Sequence, residues 1–224
     1  MIFQTLAPEI EIITPIRDLK LTRQEEIEYL KKNGVDYPWS KAKYSINKGI
    51  WGTSVGGVET LTSNQPLPES AYPSQLEKTE PTNIKLHFKK GQLVGLNDAF
   101  DTSVNTILKL EEIASQYAIG RDIHVGDTIV GIKGRVGFEA AAVVIIKAHH
   151  LLEKHVLSKW QQNLKEQLGS WYGMLLHDGQ YFEPAMRNIE AFLESSQETV
   201  TGEVFVTLKP YHFSLNGIES KLDL

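Results

Sequence analysis

The chain has 224 residues, of which 41% are hydrophobic and 23% are charged, and its formal net charge is −5. This length allows one large domain or two small ones with a real core. The lack of Lys/Arg blocks argues against nucleic-acid binding, no apolar run is long enough for a membrane span, and the absence of cysteine excludes disulfides and thiolate chemistry. Because the N-terminus also lacks the features of a signal peptide, we expect a soluble cytoplasmic protein.

The N-terminal segment is predicted to contain one strand and one helix. Residues 9–14, EIEIIT, have the isoleucine content of a buried strand, which would need neighbouring strands on both sides. We therefore expect the chain to begin inside a larger domain. The next segment, TRQEEIEYLKKNG, predicts a surface helix that begins at a capping box of Thr22 and Glu25 and ends at Gly34.

The region from Tyr37 to about Pro81 is rich in proline and has little periodicity, so we predict a long ordered loop. It contains the stretch YSINKGIWGTSVGG, in which Ser45 and Ser54 lie nine residues apart among several glycines. The glycines disfavour both a helix and a long strand. Taken alone, these serines are best interpreted as residues that cap turns.

The remaining chain alternates hairpins with helices. IKLHF and QLVGL predict a hairpin with Gly91 at its turn, and IHV and TIVGIK predict two more strands. Apolar patterning predicts helices within residues 101–120, 139–157, 159–179 and 184–196, the second of them buried, and a closing hairpin within residues 201–215. This order indicates an α+β fold in which antiparallel hairpins pack against helices.

The residues alone give no complete catalytic constellation. Neither GxxxxGK[ST] nor GxGxxG after a strand occurs, so no phosphate-binding loop is predicted. His149 and His150 are adjacent on a helix and point about 100° apart, so they cannot share a metal ion, and His149 is expected to pack in the core. Lys133 and Arg135 could clamp an anion, but a solvated strand edge is the commoner arrangement.

Several segments, in one order, resemble argininosuccinate synthase. They include YSINKGIWGTSVGGVE, IKLHFKKGQLVGLN, LEEIASQYAIGRDIHVGDTIVGIKGR, GFEAAAVVIIKAHHLLEKHVL and SQETVTGEVFVTLKP, and the resemblance covers nearly the whole chain. It is to the C-terminal half of that family's enzymes, the synthetase and multimerisation domain. The resemblance implies that residues 21–224 form such a domain and that residues 1–20 are a remnant of the N-terminal nucleotide-binding domain.

The resemblance also implies a role for the glycine-rich stretch. In that family two serines at this spacing help to hold citrulline, which makes Ser45 and Ser54 candidate citrulline-binding residues. The glycines would let the backbone approach a small polar ligand, and we expect Trp51 to anchor the segment by burying its ring. The family's enzymes join citrulline to aspartate. ATP adenylates the ureido oxygen and the aspartate amine displaces AMP, so catalysis rests on positioning and charge stabilisation.

Three candidate positions depart from the family pattern. The family glutamate that contacts citrulline falls at Gly126, beside Asp127, and the family tyrosine falls at Phe138, which lacks the hydroxyl. Asp127 could supply the missing carboxylate, although this requires a bend because adjacent side chains of a strand point to opposite faces. Alternatively, the ligand is an Nα-acylated citrulline. Its α-nitrogen carries no positive charge, so it would not need the missing carboxylate. Ordinary citrulline is the simpler substrate.

The resemblance sets further expectations for cofactors and partners. The family's nucleotide-binding motif is not in this sequence, so the site for ATP, with its Mg²⁺, is expected in a missing N-terminal domain. This chain alone is then expected to bind no cofactor and to be inactive. The expected partners are citrulline, aspartate and further copies of the chain, as a dimer or a tetramer, the tetramer being in doubt because the family's C-terminal arm would begin near Leu224. A non-catalytic binding or assembly module derived from the same domain is the alternative.

Overall fold

The structure is a computed structural model that describes residues 2–37, 39, 44–127, 131 and 133–224. Clustering of contacts divides the chain into two compact units, Met1–Tyr44 and Ser45–Leu224. The assignment of residues 1–20 to a nucleotide-binding remnant stays a prediction. None of the helices in the described ranges is long and apolar enough to cross a membrane.

The described part of the first unit contains three α-helices, namely α1 (Ile2–Leu6), α2 (Pro15–Leu19) and α3 (Arg23–Lys32). The capping box predicted for α3 is confirmed. The Thr22 hydroxyl accepts the Glu25 N–H at 3.3 Å, and the Glu25 carboxylate accepts the Thr22 N–H at 2.7 Å. Gly34 follows the helix with a φ of +77°, a conformation that favours glycine and ends the helix where the sequence predicted.

The predicted strand at residues 9–14 is wrong. These residues form no strand, and none of the described strands pairs with them. The side chains of Ile10, Ile12 and Ile13 are exposed. An isoleucine-rich segment becomes a strand only when neighbouring strands take up its backbone hydrogen bonds, and no such neighbour is present among the described residues.

The second unit contains two antiparallel sheets. The four-stranded sheet has the order β1-β2-β7-β6 and consists of β1 (Ser45–Gly49), β2 (Gly52–Gly56), β6 (Asp122–Asp127) and β7 (Lys133–Glu139). The five-stranded sheet has the order β5-β4-β3-β8-β9 and consists of β3 (Thr82–Lys89), β4 (Gln92–Leu96), β5 (Ala99–Phe100), β8 (Gly202–Lys209) and β9 (His212–Glu219). The hairpins predicted around Gly91 and at the C-terminal end of the chain are therefore confirmed.

The described part of this unit also contains four α-helices, namely α4 (Ser103–Ser115), α5 (Ala142–Val156), α6 (Lys159–His177) and α7 (Pro184–Gln197), and two short 3-10 turns, Val58–Leu61 and Glu69–Ala71. Helix α4 packs against β4, α5 packs against β8 and β9, and α6 packs against α7. The main core lies between α4, α5 and the five-stranded sheet, and it includes Leu86, Leu110, Tyr117, Leu152 and Val204. The predicted α+β class and the buried position of α5 are confirmed.

Two predicted boundaries differ from the structure. The segment predicted as a loop contains the β1–β2 hairpin, because Gly52 lets β2 approach its neighbour. Gly52 has a φ of +151°, and a Cβ there would lie 2.6 Å from both Phe138 and Ala140. The strand predicted at TIVGIK instead begins at Lys133, and the predicted residues 128–130 and 132 lie outside the described part of the chain.

Candidate functional site

The two candidate serines lie on one face of the four-stranded sheet. Ser45 is opposite Gly56, and Asn47 is opposite Ser54. Directly opposed residues of an antiparallel pair point to the same side, and alternate residues of a strand do likewise. Ser45, Asn47 and Ser54 therefore share a face, which we call the serine face. On it the Asn47 amide donates to the Ser54 hydroxyl at 3.5 Å.

Phe138 and Gly126 belong to the same face. Phe138 is opposite Ser54 on one side and opposite Asp122 on the other. Its ring lies 5.5 Å from the His124 ring in an edge-to-face arrangement. Gly126 is two residues beyond His124 on β6, so its position also points to the serine face. The structure thus places Ser45, Ser54, Phe138 and Gly126 on one face of the sheet, with Ser45 and Gly126 on its two edge strands.

Asp127 lies on the opposite face of the sheet. The pairing of β6 with β7 runs from Asp122 to Asp127 without a change of register, so the strand has no bend at Gly126. The Asp127 carboxylate forms an ion pair with Lys133, which is directly opposite, and both side chains are more than half exposed. This placement weighs against Asp127 as a substitute for the family glutamate.

The central part of the opposite face of the sheet is covered by residues 58–75. Val55 is fully buried, and a Cβ at Gly137 would lie 1.9 Å from the Leu67 side chain. Arg135 holds this covering segment by donating hydrogen bonds to three backbone carbonyls, those of Glu59, Thr62 and Gln65. Arg135 is therefore a structural residue rather than part of an anion clamp, and the serine face is the open one.

A cavity of about 460 Å³ adjoins one end of the serine face. Asp122, His124 and Phe138 line it from the sheet, and Trp51, Val143 and Phe213 are among its apolar walls. The prediction that Trp51 buries its ring is wrong, since this residue is 51% exposed. Trp51 lies in the turn between β1 and β2, where its ring borders the cavity instead of the core.

Arg121 also lines this cavity, and its side chain is largely buried. Its guanidinium lies over the Tyr72 ring at 4.7 Å and near the Tyr211 ring at 5.9 Å. It forms ion pairs with Glu69 and with Glu139, the latter with Nε and Oε2 3.4 Å apart. The Tyr211 hydroxyl donates to Glu69 at 3.2 Å, and desolvation together with this hydrogen bond raises the pKa of Tyr211. Arg121 is consequently neutralised by the carboxylates around it.

Asp122 and His124 were missed by the sequence interpretation. Once Gly126 is assigned to the site, the two-residue period of a strand places Asp122 and His124 on the same face, so the signal was available in DIHVG. Asn47 is also not among the residues that the sequence interpretation assigned to the site. The structure adds all three to the serine face. Asn47 is opposite Ser54 and Asp122 is opposite Phe138, and His124 lies between Asp122 and Gly126 in the alternation of β6.

The described residues contain neither the phosphate-binding loop nor the metal-binding cluster that a nucleotide or metal site would need. The glycine-rich segment forms strand β2 and leads into the short 3-10 turn Val58–Leu61, so it does not form a phosphate-binding loop before an α-helix. In the described ranges, no group of three or more histidine or acidic side chains could hold a metal ion. His149 packs edge-to-face on Phe88 at 5.5 Å, as predicted for a core histidine.

Comparisons with known proteins identify the family of the chain. The family model described as "Arginosuccinate synthase C-terminal domain" matches residues 44–224. The chain belongs to the argininosuccinate synthase family. The resemblance drawn from the sequence motifs is thereby confirmed, and the match begins one residue before the first of the two candidate serines.

Individual relatives in the argininosuccinate synthase family support the assignment. The chain is 41% identical to the argininosuccinate synthase of Dictyoglomus turgidum over 224 residues, which are 99% of this chain and 56% of the relative. It is 39% identical to that of Methanocaldococcus jannaschii over 206 residues, which are 90% of this chain and 52% of the relative. The chain therefore spans about half the length of the curated relatives that it matches.

Proposed function

We propose that this chain forms part of the citrulline site of an argininosuccinate synthase. The observation that carries the proposal is the position of Ser45 and Ser54, which share the open face of the four-stranded sheet beside a cavity. Hydroxyl groups on a rigid sheet can donate to and accept from a ureido group without rearrangement. The family membership of the chain supports citrulline as the ligand.

The reaction proposed for the whole enzyme joins citrulline to aspartate at the expense of ATP in arginine biosynthesis. ATP transfers AMP to the ureido oxygen and releases pyrophosphate, and the aspartate amine then attacks the ureido carbon and displaces AMP. In this scheme the residues of the serine face orient citrulline, and they perform no covalent step. The same proposal holds that the whole enzyme uses ATP with Mg²⁺, takes aspartate as its second substrate and assembles into a homo-oligomer.

A second candidate is a related ligase that acts on an Nα-acylated citrulline. Gly126 favours this candidate, because the described residues around it leave room for a side chain. A Cβ at Gly126 would meet no atom of the described residues within 4 Å, so this space could hold part of a ligand. The affinities of the chain for citrulline and for Nα-acetyl-L-citrulline separate the two candidates.

The test of the proposed function is binding of L-citrulline to the chain, measured by NMR titration. We expect Ser54→Ala to weaken binding by about twofold to tenfold, because one hydrogen bond to a neutral group is lost. Ser195→Ala is the matched control, since Ser195 is an exposed residue of α7 far along the chain from the serine face, and it should leave the affinity unchanged. Equal affinities for wild type and Ser54→Ala would contradict the proposal.

A further inference from the structure

One row of side chains crosses the four-stranded sheet from edge to edge. Asn47 is opposite Ser54, Ser54 is opposite Phe138, and Phe138 is opposite Asp122. Directly opposed residues point to the same side, so all four side chains project from the serine face. The row therefore presents an amide and a hydroxyl at one end, an aromatic ring in the middle and a carboxylate at the other end.

The Asp122 carboxylate has no cationic partner in the described part of the chain. One of its oxygens accepts the backbone N–H of Ile123 at 2.7 Å. The neighbouring Arg121 has a side chain that is only 8% exposed, and its guanidinium is engaged by Glu69 and Glu139. The negative charge of Asp122 therefore remains available to a ligand in the cavity that Asp122 lines.

The aromatic walls of the cavity add to the preference for a cation. Trp51, Phe138 and Phe213 line the same cavity as Asp122. An ammonium group placed over an aromatic face is attracted by the ring quadrupole, and a nearby carboxylate strengthens this attraction by forming a charge-assisted hydrogen bond. An apolar pocket that contains one uncompensated carboxylate is suited to a primary ammonium group.

The spacing along the row suits a short amino acid with two polar ends. Ser54 and Asp122 are separated by two inter-strand steps, which is about 10 Å between their backbones. A ligand that hydrogen-bonds to Ser54 and to Asp122 must therefore carry its amine a few bonds away from its other polar group. The α-ammonium and the ureido group of citrulline, which a three-carbon side chain separates, satisfy this requirement.

We propose that Asp122 binds the α-ammonium group of the amino-acid ligand whose other end lies at Ser54. The inference rests on the proposed function, and it assigns the charge recognition to Asp122 rather than to Asp127. Asp127 projects from the opposite face of the sheet and is paired with Lys133, whereas Asp122 lines the cavity. Asp122 would thus be a specificity-determining residue that selects a ligand with a free amine.

The experiment uses NMR titration of the chain with three ligands. L-citrulline carries both polar ends, Nα-acetyl-L-citrulline lacks the ammonium group, and L-norvaline lacks the ureido group. We expect Asp122→Asn to weaken the binding of citrulline and norvaline by about tenfold to a hundredfold, because a charge-assisted hydrogen bond is lost. The same variant should leave the affinity for Nα-acetyl-L-citrulline unchanged. Asp127→Asn is the matched control and should change none of the three affinities.

The remaining outcomes distinguish this inference from the proposed function. Unchanged binding of citrulline and norvaline to Asp122→Asn, a loss caused by Asp127→Asn, or no binding of norvaline to the wild type would overturn the role of Asp122. Tighter binding of Nα-acetyl-L-citrulline than of citrulline would overturn it as well and would favour the acylated ligand. If norvaline binding depends on Asp122 but Ser54→Ala has no effect on citrulline, the ammonium site stands and the proposed citrulline site fails.

Discussion

Arg121 shows how one side chain joins distant parts of the second unit. It immediately precedes β6, yet its partners lie in the segment before β3, at the end of β7 and in the turn between β8 and β9. It pairs with Glu69 and Glu139 and donates to the Ser74 carbonyl. Ser74 in turn donates to the Glu139 carboxylate at 2.7 Å. Removal of the arginine would leave a buried carboxylate without its cation.

We expect Arg121→Met to lower the free energy of unfolding by about 3–5 kcal/mol, because the Glu139 side chain is only 6% exposed and would lose its charged partner. Denaturation by urea, followed by circular dichroism, measures the change. Lys133→Met is the control. The side chains of Lys133 and of its ion-pair partner Asp127 are 68% and 61% exposed. It should cost less than about 1 kcal/mol. Losses of equal size in the two variants would show that the Arg121 network contributes no more than a surface pair.

Three helices meet at Glu153, which lies on α5. Its carboxylate accepts from Lys165 of α6 at 3.0 Å and from Gln197 of α7 at 2.9 Å. His149, one turn earlier on α5, is 3.6 Å away. Burial raises the pKa of Glu153, but the hydrogen bonds from these three residues outweigh burial and hold it at about 2, below the ordinary value of 4.5. The carboxylate is therefore charged in the folded state at neutral pH.

This network predicts a loss of stability in acid. Because the folded-state pKa of Glu153 lies below its unfolded value, its contribution is fully present above about pH 5 and is lost as the pH falls towards 2. One such group changes the free energy of unfolding by at most about 1.4 kcal/mol per pH unit. We expect urea denaturation between about pH 6 and pH 3 to show a shallower pH dependence for Glu153→Gln than for wild type. Identical slopes would contradict the assignment.

At the scale of the whole molecule, helix α6 exposes an apolar stripe. Trp160, Leu164, Trp171 and Met174 lie on one side of α6, and the two tryptophans are 77% and 62% exposed. Soluble monomers rarely expose a continuous apolar patch of this kind, and such patches commonly mark contacts between proteins. The stripe supports the expected association of the chain into a dimer or a larger oligomer.

We expect the chain to form at least a dimer at tens of micromolar, measured by light scattering. Replacement of both tryptophans in Trp160→Gln/Trp171→Gln should shift the molar mass towards the monomer, because two large apolar side chains would no longer be buried on association. Circular dichroism checks that the double variant keeps its helical content. A monomeric wild type would contradict the predicted oligomer, and a dimeric double variant would place the contact away from α6.

Features that depend on neighbouring residues were predictable from the sequence. The Thr22–Glu25 capping box, the turn at Lys90 and Gly91, and the proline that opens α7 all appear where the sequence placed them. In each of them the interacting groups are separated by at most four residues. Hydrogen bonds and φ preferences at such short range operate in any tertiary context, so the sequence alone determined these elements. The alternation of hairpins and helices along the chain in turn predicted the α+β class.

Only the tertiary structure decided which residues form the candidate site. Residues 9–14 have the composition of a strand but no partner, whereas the glycine-rich segment became strands because β7 pairs with it. Asp122 reaches the serine face through its pairing with Phe138, 16 residues later, and Phe138 reaches Ser54 through pairing across 84 residues. Such long-range register is set by which strands pair, and local composition does not contain that information. The sequence therefore named the serines, and the sheet decided that Asp122 rather than Asp127 stands beside them.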